Sequence, residues 1–161
     1  MKKFIIPLIL TIVSFIGCGK GDSRPKDLPP LFPCVVMITQ DGQPLGGATV
    51  SFEPVDTANA KYQASSVTDE TGKAVATTYG FNGIPAGKYK VCVWKTLTEG
   101  VMQVTNSDGE TVNTPGTEYK TIDPLYSEAH TTPHEIEVTN KKASPHSFDV
   151  GKPVKIRRGG G

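Results

Sequence analysis

Arginine is missing from the body of this chain. Between Cys34 and Val150 there are eight Lys and no Arg against fourteen Asp or Glu, a net of about −6. Nucleic-acid binding needs clustered Lys and Arg on the folded surface, so this acidic body argues against it. Long apolar runs are also lacking. The longest, Phe4 to Ile16, falls short of the roughly 20 residues a transmembrane helix requires. No amphipathic stretch is long enough for a core helix, and no internal repeat is visible. Catalytic patterns are absent too: there is no G-x-S-x-G elbow and no Cys/His arrangement of a nucleophile with its base. His130 and His134 stand four apart, but Pro133 lies between them and the segment is not helical, so the helical zinc pattern is not met; a structural or exposed role is expected for both and for His146. Asp108, Glu110, Glu118 and Asp123 match no calcium loop and are read as solvated charges. Neither a metal nor a cofactor is expected.

What is present begins at the N-terminus. Met1-Lys2-Lys3 supplies positive charge, Phe4 to Ile16 an apolar segment, and Gly17 a small residue directly before Cys18. Together they make a signal peptide over 1–17. The junction resembles the bacterial lipobox, with Phe15 where that pattern has an aliphatic residue. The alternatives are an ordinary secretory peptide or an uncleaved anchor. The lipobox reading implies that Cys18 becomes the first mature residue and carries fatty chains into a membrane, two or more of which anchor stably. Gly19, in place of Asp, points to the outer membrane.

Residues 18–33 have the composition of a flexible tether: Gly, Pro and charge, with few apolar side chains. From Cys34 onward short alternating runs separated by turn residues predict about seven strands. Cys34–Thr39 leads into the tight-turn dipeptide Asp41-Gly42. Ala48–Glu53 is expected to point Ala48, Val50 and Phe52 inward. Tyr62–Thr68, the turn at 69–72, Lys73–Thr78 and a loop over Tyr79–Ala86 follow. Gly87–Trp94 is the strongest strand, with Tyr89, Val91 and Val93 on one face. Leu97–Thr121 reads as a long irregular excursion with a small hairpin over Val101–Val112. Glu135–Thr139 and Ser147–Val150 close the domain, and the basic, Gly-ending tail at 152–161 is expected to be solvated. Cys34 and Cys92, in an oxidising compartment, are expected to form a disulfide, although strand parity leaves the pairing open.

Three segments, Asp41–Val50 (DGQPLGGATV), Val67–Gly72 (VTDETG) and Pro85–Val91 (PAGKYKV), occur in an order that resembles the carboxypeptidase regulatory-like domain. With the leader, the tether and the ending His130–Pro133, Ile136–Val138 and Phe148–Lys152, they resemble small bacterial lipoproteins built on it. The resemblance implies an all-β fold, a single seven-stranded Greek-key sandwich of transthyretin-like type over 34–151, and a domain that accompanies enzymes without performing catalysis. The hydroxyisourate hydrolases that share the sandwich need His and Arg residues and a C-terminal tetrapeptide not found here.

The expected function is that of a non-catalytic envelope lipoprotein whose sandwich binds or adheres, held to membrane lipid through Cys18 and contacting an envelope protein or carbohydrate. The alternatives are a structural spacer and, remotely, a small hydrolase or metal-dependent enzyme. Sites of this kind sit on loops of a rigid scaffold. The candidates are therefore Tyr79, Phe81 and Asn82 in one loop, and Tyr119 and Tyr126 on or beside the long excursion. Trp94 could join them, though core packing is its expected place.

Overall fold

The computed structural model describes residues 24–140 and 145–159. The expected leader, Cys18 and the start of the expected tether lie outside them, so the expectation of lipidation does as well. The described chain is all-β, with two short 3-10 turns at Thr57–Asn59 and Pro124–Tyr126. None of its helices is long and apolar enough to cross a membrane.

The thirteen strands are β1 (Val35–Gln40), β2 (Gln43–Pro44), β3 (Thr49–Pro54), β4 (Ala64–Val67), β5 (Lys73–Val75), β6 (Thr77–Thr78), β7 (Phe81–Asn82), β8 (Gly87–Trp94), β9 (Thr96–Thr105), β10 (Thr111–Lys120), β11 (Glu135–Val138), β12 (His146–Asp149) and β13 (Ile156–Arg157). One sheet is built around β1, which runs parallel to β12 on one side and antiparallel to β2 and β5 on the other. A second has the order β11-β8-β3-β4-β6-β7, and a third is the ribbon β13-β10-β9.

The first two sheets share one core. Val36 and Ile38 of β1 meet Val50, Phe52, Tyr89, Val91 and Val93 from β3 and β8, all without solvent exposure. Each such side chain contributes roughly 1.5–3 kcal/mol by leaving water. Ala48, Val50 and Phe52 face inward as their alternation predicts, and Tyr89 both packs its ring and donates its hydroxyl to the Pro85 carbonyl at 2.9 Å. The chain from Lys73 to Thr78 passes from one sheet to the other: β5 pairs with β1, β6 with β4, and the break falls at buried Ala76.

The turns follow their residues. Asp41 and Gly42 both have positive φ, 51° and 76°, which closes the two-residue hairpin between β1 and β2. Asp69 Oδ1 accepts from the Thr71 and Lys73 amides at 2.9 and 3.1 Å. At Gly72 a Cβ would run into the Ile38 carbonyl, so only glycine lets the turn lie against β1.

Three expectations are corrected. The excursion is no irregular loop: β9 and β10 form a ten-residue antiparallel hairpin with ladder pairs from Thr96↔Lys120 to Thr105↔Thr111. Thr and Val suit strands, and with both faces largely open to water no inward apolar face marks the hairpin in the sequence. The basic tail is held. Ile156 and Arg157 pair with Lys120 and Tyr119, the Arg158 amide donates to the Glu118 carbonyl at 2.9 Å, and Lys155 and Arg158 form ion pairs with Glu99 and Glu118 at 2.5 and 3.0 Å. The described part of the tether is also strapped down: Phe32 and Ile84 exchange backbone hydrogen bonds at 2.8 and 3.0 Å, Leu28 is buried, and Tyr62 donates to the Asp27 carbonyl at 2.6 Å.

Candidate functional site

The expected disulfide does not form. Cys34 and Cys92 are both free and buried, and sheet geometry gives the reason. In β8, Tyr89, Val91 and Val93 point into the core, so Cys92 points to the other face of the sheet. Cys34 sits in the core itself. Burial pushes both thiols up to about 11, which leaves little thiolate near neutral pH.

The same parity sends Trp94 outward. Its cross-strand partner is Thr49, and beyond Thr49 comes Val67, a row on the outer face of the second sheet. Lower on that face the segment after β10 covers the strands: Thr132 donates to the Val91 carbonyl at 2.9 Å, and Ser51 and Cys92 are buried. At the upper end the row is only partly covered, and Trp94 stays 40% and Val67 61% exposed.

A cleft of about 500 Å³ opens there. Four stretches of chain build it. Gly47, Thr49 and Trp94 come from β3 and β8 and the turn before β3. Lys95, Thr96 and Lys120 come from the base of the ribbon, Ile122, Ser127 and Glu128 from the segment after it, and Arg158 from the docked tail. Lys95 donates its amine to the Gly46 carbonyl at 2.7 Å, and Glu128 lies 3.4 Å from His130. Three cations against one carboxylate make the lining positive within a domain whose charge is otherwise mostly acidic. An exposed indole offers a platform for a ring, hydroxyls offer directional hydrogen bonds, and the cations select for negative charge.

None of the loop residues expected to bind lines this cleft. Tyr79 occupies the two-residue turn between β6 and β7 with φ 51°, donates to the Lys61 carbonyl at 2.6 Å and meets Tyr62 edge-on. Phe81 and Asn82 are the pairing residues of β7. Tyr119 lies beneath Lys155, whose amine is 4.6 Å from its ring centroid. Strand alternation turns Tyr119 to the opposite side of the ribbon from Lys120. Tyr126 stacks on His134 at 5.1 Å. Trp94 was the informative residue, and the alternation of β8 was the signal that could have found it.

The histidines do not converge. His130 is exposed beside Glu128. His134 is sandwiched between Tyr126 and Phe148, its Nε2 is 3.1 Å from the Asp149 carbonyl oxygen, and burial holds its pKa below the usual value. His146 stacks more distantly on Phe148 at 6.4 Å. Among the described residues no three His, Cys, Asp or Glu side chains come together as metal ligands.

No model of a known protein family matches the chain, and no curated protein matches it. Among solved structures, a 9R-lipoxygenase from Cyanothece PCC8801 is similar over 81% of this chain and 18% of its own length, at 15% identity and a TM-score of 0.28. The chain thus spans under a fifth of that protein, and the likeness carries no argument.

Proposed function

We propose that this chain is a non-catalytic lipoprotein of the cell envelope. In this reading lipid on Cys18 holds it to the membrane, most naturally the outer one, and its body is a seven-stranded Greek-key sandwich of the transthyretin-like, carboxypeptidase regulatory-like kind. The body serves as a binding or adhesion module, and the Trp94 cleft is its contact surface. The observation that carries this is the exposure of the chain's one tryptophan in a polar, cationic cleft assembled from four stretches of chain. Large aromatic side chains left half exposed among convergent polar groups are typical of recognition sites. The non-catalytic part rests on the groups that chemistry would use. Both cysteines of the domain are buried thiols raised to about 11, and His134 is tied to the Asp149 carbonyl inside an aromatic stack.

The test is retention on isolated envelope fragments. The purified Cys18→Ala protein, which cannot carry lipid, is expected to sediment with them, and the same protein with Trp94→Ala to remain in the supernatant. Equal sedimentation of both proteins would overturn the cleft as the contact surface. Mass analysis of the mature N-terminal peptide tests the anchor: an unmodified Cys18 would remove it.

A further inference from the structure

We infer that the Trp94 cleft takes an acidic saccharide, with a sugar ring against the indole and its carboxylate directed to Lys120 and Arg158. The inference rests on the preceding reading that this cleft binds at all, and it adds the ligand class. Three features of the cleft act on one ligand. The indole is 40% exposed, enough to take an apolar sugar face and shield it from water. Thr49, Thr96 and Ser127 line the same space with Glu128, and hydroxyls with a carboxylate are the partners that ring hydroxyls need. The cations then choose among sugars. Lys95 is committed to the Gly46 carbonyl and Arg158 reaches Glu118, whereas Lys120 forms no ion pair among the described residues.

A neutral sugar would leave Lys120 without a charged partner, and a small anion would leave the indole unused. A ring that carries its own negative charge uses both. The tail adds a further element, because Arg158 reaches the cleft only through the pairing of β13 with β10.

Trp94 is the sole tryptophan, so its fluorescence reports from inside the site. The purified full chain is titrated with tetragalacturonate, with the neutral galactotetraose and with inorganic phosphate. Tetragalacturonate is expected to saturate the signal, to weaken as salt rises, and to bind about fivefold more tightly than the neutral sugar, since the charge contact is exposed and screened. Lys120→Gln, an exposed change that leaves the core untouched, is expected to erase most of that preference by weakening tetragalacturonate far more than galactotetraose. Equal binding of the acidic and neutral sugars would overturn the inference, as would saturation by phosphate alone. So would the absence of any saturable signal from a protein that still sediments with envelope fragments through Trp94. In each of those outcomes the binding reading stands. If Trp94→Ala also sediments normally, both fall.

Discussion

His134 shows how much of this fold hangs on single side chains. Its ring is stacked between Tyr126 and Phe148 and half-buried, which favours the neutral form and lowers the folded-state pKa below the ordinary 6.5. The unfolded chain therefore binds this proton more readily, and stability must fall as pH drops through and below 6.5. A urea midpoint series from pH 7.5 to 5 should show that loss, and His134→Phe should flatten it. Asp149 behaves in the opposite sense. Its carboxylate accepts from the Gly42 and Gly151 amides and the Thr39 hydroxyl at 3.0, 2.8 and 2.7 Å, and these bonds lower its pKa. Its contribution is present above the ordinary carboxylate range and fades as pH falls below about 4. The two cysteines make a third residue-scale prediction. Neither should react with a thiol reagent in the native state, with or without prior reduction, and both should react on unfolding. Cys34 or Cys92 proving reactive only after reduction would show a disulfide instead.

Among the elements, the β9–β10 hairpin is the one the sequence described least well. Its strands carry Thr, Asn, Gln and Glu with scattered Val, so no inward face announces them, and the regular ladder comes from pairing alone. The strands of the core were legible because one face of each is buried: Ala48, Val50 and Phe52 in β3, and Tyr89, Val91 and Val93 in β8. The turns at Asp41-Gly42 and Asp69–Gly72 were legible because their geometry admits few residues. The cleft was not, because it joins side chains from Gly47 to Arg158, and a tail that pairs with the ribbon cannot be seen in a run of basic residues. Within the hairpin, Gly116 faces the Glu99 and Gly100 carbonyls so closely that a Cβ would overlap both. Gly116→Ala should open the ladder there at a local cost on the order of 1–3 kcal/mol. Amide exchange should then quicken through 101–115, while β1, β3 and β8 keep their protection. Loss of protection throughout would mean that the hairpin supports the core.

For the whole molecule, charge is distributed to close the fold. The acidic hairpin and the basic tail are complementary segments: Glu99 and Glu118 receive Lys155 and Arg158. These pairs are exposed, so the backbone bonds of β13, not the charges alone, must hold the tail. A chain ending at Gly151 should keep its core and its unfolding midpoint to within a few degrees, since no fully buried side chain is removed. It should lose Arg158 from the cleft, and its tryptophan emission should shift to longer wavelength as water reaches Trp94. An unchanged spectrum would mean that the tail does not close that side of the cleft.

The short bridge between Phe32 and Ile84 has a mechanical consequence. Any pull transmitted along the N-terminal segment meets that pair of hydrogen bonds before it meets β1. The first response to load is thus the release of the Asp27 and Leu28 contacts and then the peeling of these two bonds, which lengthens the leash and leaves the body intact. Only afterwards does tension reach β1, whose ladders to β12, β2 and β5 lie across the direction of pull and share it in shear. The molecule yields a little at its edge and then resists at its centre.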